Sequence, residues 1–212
     1  MVQRQAISRV PAAALTVLLM VAGAFSCTSG PAPADDRPYV EQLQTQRTAK
    51  DDAFRRDRDS PIPAEARASF GGLHYYAVDP AYRVPAFLTV EKPNPPIIIE
   101  LQTSSTERQR MRKVGNLGFT LGDATYKLTA FAESSAGSVD RLFVPFGDLT
   151  NVSETYHGGR FLDLDRTPTG LYDLDFNRAY HPYCVYNPSY ICPVPPNENR
   201  LAVAISAGEK LK

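Results

Sequence analysis

From Phe70 onward the apolar positions of this chain fall into a period of two. Tyr82, Val84, Ala86, Leu88 and Val90 alternate with other residues, and so do Tyr126, Leu128 and Ala130. Leu201, Val203 and Ile205 repeat the pattern and predict a further strand near the C-terminus. Alternation of this kind marks strands with one face on a core. Pro96–Leu101 reads as a short continuous apolar strand. Gly122-Asp123 lies between Leu117–Leu121 and Ala124–Phe131 and predicts a two-residue hairpin turn, the glycine supplying positive φ. Thr103–Thr106 predicts a second hairpin turn leading into Arg108–Val114. Short, closely spaced strands with turn residues between them predict a mainly β fold, an antiparallel sandwich or barrel-like single domain.

The N-terminal third has a different pattern. Tyr39–Arg58 lacks Gly and Pro and predicts a helix with a thin apolar stripe of Tyr39, Val40, Leu43, Ala53 and Phe54. The charges at Lys50-Asp51-Asp52 and Arg55–Asp59 read as its solvated face, and Ser60-Pro61-Ile62-Pro63 stops it. Before the helix, residues 28–38 are small, polar and proline-rich, as in a tether. Residues 1–26 have the parts of a secretory leader: Arg4 and Arg9, an apolar run over Val10–Phe25, then Ala24-Phe25-Ser26-Cys27. The last four resemble the lipobox of bacterial lipoproteins, in which the cysteine is acylated. The expected organisation is therefore a leader over 1–26, a tether over 27–38 and one domain over 39–212, with the helix over 39–58 and the core from about 68. Cys27 would carry the lipid and anchor the chain to a membrane at the cell envelope, outside the cytoplasm. Thr28 rather than Asp after the cysteine favours the outer membrane in a Gram-negative host.

Charge adds an exclusion. Loss of residues 1–26 takes Arg4 and Arg9 from 23 basic residues and leaves all 23 acidic ones, a net charge of about −2. Such a balance gives no general attraction to nucleic acid. No phosphate loop, nucleophile elbow, dinucleotide fingerprint or metalloprotease motif is present, and no cofactor is implied.

Beyond Pro145 the composition shifts again. Six of the eleven tyrosines lie between Tyr156 and Tyr190, among Pro182, Pro188, Pro193, Pro195 and Pro196. This predicts a long ordered loop region, the kind of segment on which a β scaffold carries binding residues. The motifs there are Phe143–Thr150, Glu154–Asp163, Asp175–Cys184, Cys192–Leu201 and Ala207–Lys210, with Phe70–Tyr76 and Tyr82–Val84 upstream. Together they resemble the bacterial family catalogued as domain of unknown function 1684, over about residues 38–210. Many members of that family look longer, with an additional β-rich N-terminal half. His181 stands where the resemblance leads one to expect Asn. The resemblance implies kinship and no activity.

The candidate ligand-binding residues are Asp148, Glu154, Tyr156, Arg160, Asp163, Asp175, Asn177, Tyr180 and Glu198. Tyrosines supply flat stacking surfaces, while arginine, amide and carboxylate groups supply hydrogen bonds, a mixture suited to a small polar ligand or an envelope protein partner. Taken singly, each also has a structural reading, such as turn capping at Asp148 or a Glu154–Arg160 ion pair across Gly158-Gly159. Two of Asp148, Glu154, Asp163, Asp175 and Glu198 facing one cleft would suit an envelope hydrolase. Cys184 and Cys192, with seven residues between them, are expected to form a disulfide in an oxidising compartment. Free thiols, or a zinc site with His157 and His181, are the alternatives, the zinc spacing matching no common pattern.

Overall fold

The structure, a computed structural model, describes residues 37–135 and 137–212. The leader, Cys27 and nearly all of the tether lie outside the described residues. The helix α1 (Tyr39–Arg56) is followed by β1 (His74–Tyr75), β2 (Arg83–Val90), β3 (Ile98–Gln102) and β4 (Arg108–Leu121). Next come β5 (Ala124–Glu133), β6 (Arg141–Phe146), β7 (Arg160–Asp165), β8 (Leu171–Asp175) and β9 (Glu209–Lys210). The main sheet is antiparallel in the order β7-β6-β5-β4-β2-β8, with β3 paired to β4. It curls into a nearly closed, barrel-like form around one apolar core. Among the described residues, no helix is long and apolar enough to cross a membrane.

Both predicted hairpins are present. Gly122 turns β4 into β5 with φ +59°, which a side chain adopts only with strain. The predicted strands Arg108–Val114 and Leu117–Leu121 form one fourteen-residue strand, with its register shifted between Lys113 and Gly115. A Cβ on Gly115 would meet Thr89 O at 2.2 Å, so only glycine admits β2 at that point.

The inward positions Leu88, Leu117, Phe119, Leu128, Leu142, Val144, Leu162 and Leu174 form the core. β5 nevertheless buries Leu128 through Ala132 without alternation. The outer face of the sheet is covered as well: Phe131 joins Leu101 and Met111 in a second cluster there, packed against Ile99 and Phe143.

The predicted strand over Leu201–Ile205 does not form. That segment is irregular; Leu201 and Ile205 are buried, but its backbone is held by single bonds such as Leu149 N to Val203 O and Ile205 N to Asp148 Oδ1. A polar hub, described below, takes the contacts that a neighbouring strand would supply.

β5 and β6 share one registered pair, Phe131 with Phe143. Pro145 lacks an N–H, and the side chain of fully buried Asn199 completes the join. Its Nδ2 donates to Thr129 O and Pro145 O at 2.8 and 2.7 Å, and its Oδ1 accepts from Thr129 N at 2.7 Å.

Candidate functional site

The nine nominated residues divide between structural and surface positions. Asp148 caps a short 3-10 turn through Thr150 N and Oγ1, and Asn151 answers in a capping box. Its other oxygen accepts from Arg160 Nη2 at 2.9 Å. Arg160 is wholly buried; its Nη2 also donates to Ile205 O, and its Nη1 donates to Ala207 O and Glu209 O. The arginine thus pairs with Asp148, and the suggested Glu154–Arg160 pair is not made. The reason is positional: Glu154 is exposed, with Tyr76 Oη donating to it at 3.2 Å, whereas Arg160 points inward from β7.

Asp175 and Asn177 form a second structural knot. Asp175 accepts from Tyr39 Oη at 2.8 and 2.9 Å, from Asn177 N and from Arg178 Nε. Asn177 clamps the backbone of Asp79 reciprocally, accepting from its N–H and donating to its carbonyl. Buried polar groups must be partnered, and these are. Glu198 is exposed. Among the nine candidates, Glu154, Tyr156, Arg160, Asn177 and Tyr180 do not converge on one concave site. Of the five nominated carboxylates, only Asp163 lines the main groove. Asp148 and Asp175 are each neutralised by an arginine.

What the structure assembles instead is a groove of about 790 Å³ on the outer face of the sheet. Met111, Phe143 and Phe161 form its floor, and Tyr180, Tyr183, Tyr190 and Ile191 from the proline-rich loop form its wall. The floor rings of Phe143 and Phe161 meet edge to face at 4.8 Å, and Tyr180 stands edge-on to Phe161 at 5.8 Å. Tyr183 and Tyr190 meet at 5.4 Å. Phe54 of α1 packs behind this wall against Tyr183 and Tyr186, so the helix fixes the loop.

Polar groups enter the groove at defined points. Tyr180 Oη donates to Asp163 at 2.8 Å, and burial, then the carboxylate, pushes the phenol pKa up. Lys50 Nζ lies 4.8 Å from the Tyr180 ring centre and 2.6 Å from Glu209. Glu133, Asp140 and Arg141 complete the rim. Lys50 was expected on a solvated helix face; it turns inward because Glu209, almost fully buried, needs a counter-charge.

Glu209 is the hub behind the groove. It accepts from Lys50, from His181 N at 2.7 Å and from Tyr186 Oη at 3.0 Å. Burial, followed by the Arg160 and Lys50 charges, lowers the His181 pKa to about 3. His181 is accordingly neutral, and its Nε2 accepts from Tyr156 N at 3.2 Å. Its 3.8 Å approach to Glu209 is no ion pair. With Nε2 occupied, the zinc reading loses a ligand. Among the described residues, no group of three or more His, Cys, Asp or Glu could hold a metal.

Cys184 and Cys192 are free thiols, so the expected disulfide is not formed. Cys192 Sγ accepts from Cys184 N at 3.1 Å, and Cys184 Sγ lies 3.9 Å from Tyr156 Oη, so each sulfur already has a polar neighbour. Burial pushes the Cys192 thiol up to about 12 and is the leading cause raising Tyr156 to about 12.

The family model described as "Protein of unknown function (DUF1684)" matches residues 68–210. A solved structure, the solution NMR structure of an uncharacterized protein of Haloarcula marismortui, is similar to this chain at 40% identity and a TM-score of 0.64. The likeness covers 81% of this chain and 93% of that one. No curated protein matches. Lys50 and Glu209, like the apolar floor residues Met111, Phe143 and Phe161, are residues of this region that sequence reasoning missed. Glu209 stood in the Ala207–Lys210 motif, and that motif was the available signal.

Proposed function

The chain belongs to the family of unknown function DUF1684, and from the chemistry of its outer groove we propose that it is a non-enzymatic binding domain for a small polar ligand. One observation carries this reading. A drug-sized groove of about 790 Å³ combines five aromatic rings with a few fixed polar groups, as ligand sites do. Tyr180, oriented by Asp163, presents a ring face and a phenol with its donor already committed. Lys50, with its charge balanced by Glu209, adds N–H groups at the same point. The combination suits a ligand with one flat apolar face and several hydroxyl or amide groups, such as a sugar or a peptide fragment.

We place this domain at the cell envelope, tethered through a lipid on Cys27. The support is the basic start, the apolar run and Ala24-Phe25-Ser26-Cys27. Metabolic labelling with a palmitate analogue tests the anchor, which predicts labelling of the native chain and none of C27S.

For the groove, the experiment is amide chemical-shift mapping of residues 37–212 against a panel of N-acetylated sugars and short peptides. The expected result is saturable shifts confined to residues 109–111, 133, 141–143, 161–163 and 180–193. Tyr183→Ala and Asp163→Asn should each weaken binding about tenfold, the loss of one stacking or charge-assisted contact. Shifts scattered elsewhere, or none across the panel, would remove the reading.

A further inference from the structure

Five charged side chains line the outer groove: Lys50, Arg141, Glu133, Asp140 and Asp163. Both cations are matched by carboxylates that lie outside its lining. Lys50 Nζ meets Glu209 at 2.6 Å, and Arg141 Nε meets Asp165 at 3.3 Å. The three lining carboxylates have no such match. Asp163 and Asp140 each accept from a neutral hydroxyl, that of Tyr180 at 2.8 Å and that of Ser138 at 3.0 Å. Glu133 is exposed and has neither a cation nor a hydrogen-bond donor beside it among the described residues. With each cation set against its own partner, the groove keeps three unmatched negative charges.

Strand pairing puts two of these charges beside the apolar floor. Asp163 on β7 is registered opposite Phe143 on β6, and Glu133 on β5 opposite Met111 on β4. Side chains so opposed stand about 5 Å apart at Cβ. Phe131, the β5 partner of Phe143, lies two residues before Glu133, so the two carboxylates flank Phe143 on one face of the sheet. Asp140 stands just before β6. The aromatic wall adds to this field, because ring faces attract cations. The protein already uses one such face, holding the Lys50 ammonium 4.8 Å from the centre of Tyr180. Tyr183 and Tyr190, in the same wall, have no cation of their own among the described residues. A cleft with low-dielectric walls and one sign of unmatched charge concentrates the opposite charge.

Resting on the groove's role as a binding site, we propose that its ligand is a peptide fragment bearing a lysine-type primary ammonium. The ammonium donates to Asp163 and Glu133, which have acceptor positions to spare. Its alkyl stem lies along Met111, Phe143 and Phe161, as lysine stems do on apolar surface. An amino sugar offers no such stem, and an acidic ligand meets the three carboxylates.

The probe is N-acetyl-Gly-Lys-Gly-amide, titrated into the protein and followed by amide chemical-shift mapping. One control carries Nε-acetyl-lysine, which removes the charge, and the other carries glutamate in its place. At low ionic strength the lysine peptide should bind about tenfold tighter than the acetylated one, with the glutamate peptide weakest. About 1 M salt, with a Debye length of about 3 Å, should close most of that gap. Glu133→Gln combined with Asp140→Asn should weaken the lysine peptide about fivefold and leave the acetylated one unchanged. Asp123→Asn, at the far end of the β4–β5 hairpin, should alter neither. Equal binding of all three peptides in the groove would keep the site and overturn the ammonium. An equal loss in Asp123→Asn would mark a diffuse charge effect and overturn it too. If no peptide binds while neutral sugars do, this inference fails alone; if nothing binds, the groove reading fails with it.

Discussion

Asp148 Oδ2 accepts from Arg160 Nη2 at 2.9 Å, and neither side chain has any exposed surface. They lie twelve positions apart in sequence, yet through this pair the turn after β6, the strand β7 and the segment up to Glu209 are joined. Removing the aspartate strands the buried guanidinium charge and the N–H groups of Thr150 and Ile205. Asp148→Ala should therefore cost about 3–5 kcal/mol, read as a lowered urea midpoint. Glu154→Gln, on an exposed carboxylate, should stay within about 0.5 kcal/mol. A comparable loss in both variants would contradict the assignment.

His181 sets a pH dependence. Its folded pKa of about 3 lies below the ordinary value of 6.5, so the unfolded chain binds the proton more readily between those values. Stability from this group is fully present above pH 6.5 and is lost as pH falls towards 3, by up to about 1.4 kcal/mol per pH unit. Unfolding measured at pH 7, 6, 5 and 4 should show a shallower slope for His181→Asn than for the native chain. Parallel slopes would mean that the imidazole is not held neutral.

The Cys192 thiol, pushed up to about 12 by burial, has almost no thiolate at pH 8, and the thiolate is the reactive form. Purified protein kept from oxidants should show two free thiols by intact mass. Iodoacetamide should leave Cys192 unmodified in the native state and label it in urea. Rapid native labelling of Cys192, or a mass two hydrogens lower, would refute this.

Asn199→Ala would leave Thr129 N, Thr129 O and Pro145 O without the partners they now have. The expected cost is about 2–5 kcal/mol, from several unsatisfied buried groups at once. Hydrogen exchange should quicken first at the β5–β6 join. A loss below about 0.5 kcal/mol would show that water replaces the amide freely.

The sequence carries local decisions well in this protein. Gly122-Asp123 specifies its turn, and alternation over Tyr82–Val90 specifies β2, because both are decided by neighbours a few residues away. Alternation misleads at Leu201–Ile205: Leu201 and Ile205 pack into the main core, but the backbone at Ile205 is held by the Asp148–Arg160 knot rather than by a neighbouring strand. Partner choice is the least legible layer. Nothing near Arg160 distinguishes Glu154, six residues away, from Asp148, twelve away; only the direction in which β7 points the side chain decides. For the same reason Lys50 reads as solvent-facing until Glu209, 159 residues later, is placed beside it. The tyrosine-rich loop was legible as the place where a site forms. Its floor, made of the outward residues of β4, β6 and β7, was not, because covered outer faces break the simple inside–outside rule.

The three backbone carbonyls that Arg160 binds belong to Ile205, Ala207 and Glu209. The guanidinium precedes these acceptors in the chain by 45 to 49 residues, so the contacts it makes close only once that later segment has folded back onto β7. A chain cut short before Ile205 would keep the Arg160–Asp148 pair but lose the guanidinium's three carbonyl acceptors, and the opened core would be an easier substrate for proteases.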